Sequence, residues 1–528
     1  MRVLDKLFNK KDVLGVFAYQ KHIYAAINHQ SKTSFAVSRN GLDFVFKTRI
    51  KSATLKQQWQ KILKRRIVEY HLFNHHLAPG SERLHHLNIE GVVREPDQIL
   101  VFFNHQPKPG QLETGVIALD PQNIDNLLWR GTEPVWQSPK SWQNKNITHL
   151  GLVKIKNKIL SYWKIKGRGL VAVSHPHFRI DQQISIQKAW LIHKHENNPL
   201  ISPNPDHSWE SFTTFNPAAT VLAGNVHLLY RAQGHDYRSV LGYARSQDGI
   251  NIDLTLDQPA YLPRKPFEKK DPDLPPSTKY FSGGGTEGCE DPRITRIGNR
   301  LYMTYVAFNG VNPPRIALTS IKITDFLNHR WLWEKPILIS PPGVVDKSAC
   351  ILPKKINNKY VIFHRIFPDI LIDYVDSLDF SPGQYLQGQY HIKPRGPMWW
   401  DSRKIGVGSP PLLTKDGWLL IYQTVDDKNA NHYKIGAMIL KADEPHVELY
   451  RSRYPIMEPD QWYDNHGFKA GVVYPCGAII RKNQLFVYYG GADSHVCVAT
   501  ANLDQFLDRL KQGQATKLES TILAVSSK

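Results

Sequence analysis

The sequence predicts an all-β chain: a five-bladed β-propeller preceded by a further, mainly-β region that contains a helix. Three observations carry this expectation. Short runs rich in Val, Ile, Tyr and Phe recur along most of the chain, separated by Gly, Pro, Asn and Asp turns. Helical periodicity is confined to two patches. One is about residues 52–77, where Leu55, Trp59, Ile62 and Leu63 fall at helical spacing; the other is Leu503–Leu510. After residue 210 one unit repeats, a turn followed by an aromatic-rich strand, with starts about 60–75 residues apart.

The five repeated strands are Val226–Arg231, Leu301–Val306, Tyr360–Arg365, Trp418–Gln423 and Leu485–Gly490. Gly298-Asn299, Asn357-Asn358, Asp416-Gly417 and Lys482-Asn483 supply the turns before the last four. That spacing suits a four-stranded blade with long loops, and five units make five blades. A β-sandwich with coincidental hairpins is the alternative; polar residues shared near the strand ends favour the propeller. The polar, Pro-rich stretch 257–282 reads as an insertion loop. Upstream, Ile23–Asn28, Ile99–Asn104 and Ile159–Ile165 echo the same strand, and Ser38–Phe44 resembles Ser246–Ile252. Residues 1–195 are therefore expected to be degenerate blade-like repeats plus a helix, or else a separate α+β or sandwich domain. Residues 196–515 are expected to form the propeller, and 516–528 a tail.

Composition narrows the class. With 528 residues the chain is long for one domain, and its 11% aromatic content excludes wholesale disorder. The formal net charge is +20, but 30 Lys+Arg and 14 Asp+Glu of the total fall within the first 200 residues, so the remainder is nearly neutral. A basic region of this kind raises the question of an anionic partner. Dispersed lysines without a nucleic-acid motif more often make a solvated surface, so nucleic acid is disfavoured. Four cysteines, Cys289, Cys350, Cys476 and Cys497, have neither metal-like spacing nor disulfide density and are expected in the core. No leader-like or membrane-spanning apolar run is present, which leads to the expectation of a cytoplasmic chain without a membrane partner.

Chemistry-bearing residues cluster beside the repeated strands. Asn216 precedes Arg231; Glu290-Asp291-Pro292-Arg293 follows a glycine-rich loop; Lys347 precedes Arg365; Lys404 precedes Gln423; and Tyr474-Pro475-Cys476-Gly477 precedes Asp493. Converging aromatics, one or two carboxylates and several cations suit glycosyl transfer with an anion in the site. The glycine-rich loop lacks the Gly-Lys-Ser/Thr ending of a nucleotide-binding loop.

At these residues the chain resembles glycoside hydrolase family 130, the β-mannoside phosphorylases and related β-mannosidases. The motifs are Glu290–Thr295, Tyr302–Tyr305, Leu352–Tyr360, Asp401–Tyr422 and Tyr474–Gly477 with Tyr488–Asp493, over about residues 198–512. The resemblance implies a five-bladed propeller and inverting cleavage of a β-mannoside by inorganic phosphate, giving α-mannose 1-phosphate. It implies Asp291 as the catalytic general acid, passing its proton through a sugar hydroxyl. Asn216, Arg231 and Asp493 match sugar-binding positions, and Glu290 and Arg293 are grouped with them as substrate-binding. Lys347, Arg365, Lys404 and Gln423 match phosphate-binding positions, with Arg231 also implied near phosphate. Lys347 stands where an arginine is more usual and Gln423 where a histidine is. The resemblance implies no metal and no cofactor besides phosphate as co-substrate; a homo-oligomer is compatible with it. Phosphorolysis is favoured because no carboxylate replaces Lys347, Arg365 or Lys404. The alternatives are a β-mannosidase on the same fold and a non-catalytic carbohydrate- or polyanion-binding protein.

Overall fold

The computed structural model describes residues 12–29, 32–45, 51–77, 87–131, 134–156, 158–166, 169–176, 191–275, 277, 279–280, 284–396, 399–427, 429–512, 521–524 and 526–527. Strands dominate and helices are few. The chain divides into two compact units. One comprises residues 1–189, 395–400 and 515–528; the other comprises 190–394 and 401–514.

The first unit holds three antiparallel meanders and a helix. The strands are β1 (Asp12–Tyr19), β2 (His22–His29) and β3 (Lys32–Ser38); then, after helix α1 (Ser52–Leu77), β4 (Leu87–Arg94), β5 (Ile99–Lys108) and β6 (Gln111–Leu119); then β7 (Ile147–Ile155), β8 (Lys158–Ile165) and β9 (Gly169–Pro176). The aromatic runs noted in the sequence are the middle strands β2, β5 and β8. Each first strand carries a bulge just before a glycine, at Gly15, Gly91 and Gly151. A side chain on Gly151 would strike the Val16 carbonyl, so the glycine lets β7 approach β1. Helix α1 buries Leu55, Trp59, Phe73 and Leu77, whereas Leu63 is exposed. The segment expected as a C-terminal tail contributes a strand instead: Thr521–Ala524 pairs antiparallel with β9. Residues 516–520 of that segment lie outside the described residues.

The second unit holds five further meanders in chain order. Their main strands are β10 (His193–Lys194); β11 (Thr213–Leu222), β12 (Asn225–Gln233) and β13 (Arg238–Ser246); β14 (Glu287–Ile297), β15 (Arg300–Phe308) and β16 (Arg315–Lys322); β17 (Asp346–Ile351), β18 (Tyr360–Ile366) and β19 (Asp369–Val375); β20 (Lys404–Val407), β21 (Gly417–Val425) and β22 (Lys434–Leu440); and β23 (Val473–Arg481), β24 (Gln484–Gly491) and β25 (His495–Asn502), followed by helix α2 (Leu503–Gln512). The five repeated aromatic runs are the middle strands β12, β15, β18, β21 and β24. No sheet closes on itself among the described residues; the first two meanders join through a short parallel contact of Arg238–Ser239 with Glu287–Gly288. The last meander is completed by β10, from the start of the unit, which pairs with β25.

Packing between meanders explains the aromatic content. The first and second share Leu229, Tyr243, Cys289, Met303 and Tyr305, and the first and last share Tyr230, Phe486, Tyr488 and Val496. All four cysteines are buried and free. One turn recurs in both units. Asn40 Oδ1 accepts the backbone N–H groups of Leu42 and Asp43, and Asp248 Oδ1 accepts those of Ile250 and Asn251. The following contact also repeats: Tyr162 donates its hydroxyl to the Gly41 carbonyl, and Tyr488 to the Gly249 carbonyl, each at 2.7 Å. Both tyrosines come from the middle strand of the last meander in their unit.

Candidate active site

Bulges aim the functional side chains. The first strands β11, β14, β17 and β23 lose register between Phe215 and Ala218, Glu290 and Arg293, Lys347 and Cys350, and Pro475 and Gly477. In the fourth meander β20 stops at Val407, and pairing resumes at Leu412. Pro217, Pro292 and Pro475 sit in or at these breaks, where a missing N–H costs no ladder bond. Asn216 and Asp291 take left-handed backbone, both with φ 50°, a conformation that Asn and Asp tolerate best among non-glycine residues.

The result is a cavity of about 350 Å³ in the second unit. It is lined by eight of the ten candidate residues: Asn216, Arg231, Asp291, Lys347, Arg365, Lys404, Gln423 and Asp493. Cross-strand register explains the pairs, since Arg231 lies opposite Phe215, Lys347 opposite Arg365 and Gly406 opposite Gln423.

Asp291 is the most engaged carboxylate. Asn216 Nδ2 donates to its Oδ1 at 2.8 Å, and Arg231 Nη1 donates to the same oxygen at 3.2 Å. Arg231 also donates to Glu290 Oε1 at 3.1 Å, while its guanidinium lies over the Phe215 ring. Burial works against ionising Asp291, but Arg231, Arg293, the Asn216 hydrogen bond and Lys347 outweigh it and hold the carboxyl below its ordinary range. Asp493 is treated differently. Burial dominates there, with Lys469 and Arg231 only partly offsetting it, and the carboxyl is pushed up to about 6.

The cations crowd together. Lys404 is pushed well below the usual lysine range, first by burial and then by Arg365, Lys469, Lys347 and Arg403. Its Nζ donates to the Tyr433 hydroxyl at 2.7 Å, and the ammonium groups of Lys404 and Lys469 both lie 4.7 Å from the Tyr433 ring centre. Gln423 Nε2 donates to Ser348 Oγ at 3.1 Å and to the Tyr474 hydroxyl at 3.2 Å. Three lining residues keep a buried polar atom without a partner among the described residues: Asn216 Oδ1, Arg365 Nε and Gln423 Oε1. Buried polar atoms are nearly always satisfied by protein or by water, so this wall offers hydrogen-bonding sites to water or to a polar ligand. A cluster of cations, one of them Arg365 with its Nε–H donor free, is suited to holding an anion beside a carboxylate.

Two candidates stand outside the cavity wall. Glu290 is fully buried behind Arg231 and fixes that guanidinium. Arg293 donates to the carbonyls of Gly408 at 2.7 Å, Asp291 at 2.8 Å and Val407 at 3.0 Å. It ties the Asp291 bulge to the end of β20 through three backbone carbonyls. Conversely, Tyr433, Phe468 and Lys469 line the cavity and were not singled out by sequence reasoning. Phe468 and Lys469 come from an irregular loop with no strand pattern. Tyr433 immediately precedes β22, a position whose only signal is its aromatic character.

Comparison with known proteins places this geometry. Residues 191–512 match the family model described as beta-1,4-mannooligosaccharide phosphorylase. A 1,2-beta-oligomannan phosphorylase of Thermoanaerobacter sp. (strain X514) is 35% identical over 314 residues, 57% of this chain and 94% of that protein. A beta-1,2-mannobiose phosphorylase of the same strain is 34% identical, again over 57% of this chain and 94% of that protein. The solved beta-1,2-mannobiose phosphorylase of Listeria innocua is 24% identical, covers 61% of this chain and 99% of its own, and superposes with a TM-score of 0.49. The matched span contains the whole cavity and each residue that lines it, and through it the chain belongs to glycoside hydrolase family 130.

Proposed function

We propose that the chain is an inverting phosphorylase of β-mannosides, with β-1,2-linked oligomannosides as its first substrate class. The observation that carries this reading is the charge of the cavity. Arg231, Lys347, Arg365, Lys404 and Lys469 line it, against Asp291 and Asp493, with Glu290 behind Arg231. The surplus of two positive charges complements a phosphate dianion. The linkage follows the relatives that match along 94% of their length, both named for β-1,2 substrates.

In this reading the mannoside sits between Asn216, Arg231 and Asp493, and phosphate sits among Lys347, Arg365, Lys404 and Gln423. Phosphate attacks the anomeric carbon from the face opposite the leaving group, and α-mannose 1-phosphate forms. Asp291 is the general acid, and Oδ2, the oxygen that neither Asn216 nor Arg231 engages, would carry the proton. In the bare cavity the cations favour its ionised form. An incoming dianion offsets those cations, favouring proton uptake at Asp291 and the charged form of Lys404. Phosphate binding thus prepares the acid that its own attack requires.

The five meanders are read as the blades of a propeller. Support comes from contacts between successive meanders: first strands β11 with β14, β14 with β17, β17 with β20 and β23 with β11, and middle strand β21 with β23. A cytoplasmic location fits four buried free cysteines and a charged sugar phosphate that a membrane would retain.

Asp493 keeps hydrolysis as a second reading, because an inverting hydrolase needs another carboxylate to activate water. Incubation with β-1,2-mannobiose, with and without phosphate, separates the two. Mannose 1-phosphate should form only with phosphate, and Asp291→Asn should abolish it. Free mannose released at an undiminished rate without phosphate would overturn phosphorolysis.

A further inference from the structure

The third meander contains a buried charged triad that takes no part in the chemistry above. His364 lies on the middle strand β18, with Asp346 on β17 and Asp373 on β19. His364 Nδ1 is 2.7 Å from Asp346 Oδ2, and Nε2 is 2.9 Å from Asp373 Oδ2. The three side chains are 0–1% exposed. Ionised carboxylates only accept hydrogen bonds, so a ring held between two of them carries a proton on each nitrogen. Burial opposes that charge, but Asp346 and Asp373 raise the imidazole to about 9. The backbone N–H groups of Gln387 and Gly388 donate to Asp373 and keep it ionised.

The triad's neighbours in sequence matter. Asp346 immediately precedes Lys347, and His364 immediately precedes Arg365. Lys347 and Arg365 are register partners across β17 and β18, and both line the cavity. Consecutive strand residues face opposite sides of a sheet. The His364 bridge therefore pins the β17–β18 pair from the side opposite Arg365, just before the bulge at Ser348, where φ is 55°. Two carboxylates around one imidazolium also leave a net negative charge behind two cations that repel each other.

We propose that the Asp346–His364–Asp373 triad positions the phosphate-binding pair Lys347 and Arg365, setting their register and offsetting their mutual repulsion. His364 is a positioning residue in this scheme; it touches neither phosphate nor sugar. The inference rests on the phosphorolysis reading, and the wild-type chain tests that reading first: no phosphate dependence there overturns the reading itself.

With phosphate dependence in hand, His364→Gln in the full-length chain tests the triad. A glutamine cannot donate to both carboxylates from opposite sides as the ring does. The KM for phosphate should rise about tenfold or more, as small misplacement of binding groups does. The KM for β-1,2-mannobiose should stay within about twofold, since its binding groups lie on other strands. An unchanged phosphate KM, even with a lowered kcat or melting temperature, would reduce the triad to a brace for the fold and overturn the proposal. Should His364→Gln fail to fold, Asp373→Asn keeps the ring and Asp346 in place. The same split between phosphate and mannobiose is expected there, and its absence is equally decisive.

Discussion

Arg293 shows how far a single side chain can act from a reaction it does not touch. Three of its hydrogen bonds end on carbonyl oxygens, one of them Asp291's own. Arg293→Lys keeps the charge but cannot span three acceptors. Each buried carbonyl left alone costs about 1–3 kcal/mol. The variant should melt several degrees lower, and its kcat should fall at least about tenfold as the Asp291 bulge loosens. A melting curve and a rate at saturating substrates test this, and wild-type values for both would remove the role. The residue was legible as part of a motif but not as a staple. Strand alternation alone would send Asp291 and Arg293 to the same face, and only the bulge between Glu290 and Arg293 separates them. Lys347, Arg365, Lys404 and Gln423 were legible only through the family resemblance, and strand register is what brings them to one cavity. Lys469 was not legible, since nothing in its loop gives it a face.

Among the strands, glycine sets how closely two meanders approach the site. Gly490, on β24, is such a position: a Cβ there would come within 2.1 Å of Asn216 Oδ1 and 2.8 Å of the Asn216 backbone nitrogen. Gly490→Ala should therefore push Asn216 away from Asp291. The expected result is loss of about 100-fold or more in kcat/KM, with a far smaller fall in melting temperature. Activity close to wild type would mean that the Asn216–Asp291 hydrogen bond is dispensable. The five middle strands were plain in the sequence because they are apolar on both faces and bounded by turns. Their first-strand partners were harder to see. Proline interrupts β11, β14 and β23 at their bulges, so these three look like loops. The site consequently reads in one dimension as scattered loop motifs, although those residues belong to strands that have been bent on purpose.

For the molecule as a whole, the charge surplus in the first 200 residues and the small positive cluster in the cavity answer different questions. The former belongs mainly to the unit outside the matched span, and the latter to an otherwise nearly neutral unit. Composition set the first 200 residues apart by charge; where each unit is completed was not legible, because completion depends on strands far apart in sequence. Truncation at residue 514 removes two strands, Thr521–Ala524 and Ser526–Ser527, from the first unit and none from the second. Phosphorolysis at 25 °C should then stay within about twofold of the full chain, while thermal unfolding gains an earlier phase. Loss of activity without that early phase would contradict the assignment of residues 515–528 to the first unit.

The same strand bears on the order of events at the ribosome. Strand β9 ends at Pro176, and its partner Thr521–Ala524 is made about 345 residues later. At roughly 5–20 residues per second, that is on the order of tens of seconds. Throughout that interval one edge of the β7–β8–β9 sheet waits unpaired, an invitation to pairing with a neighbouring chain. The second unit meets the same problem on a smaller scale, because β10 emerges first and β25 last. A slow translation pause after α2 would lengthen the exposure of the first unit and leave the second untouched.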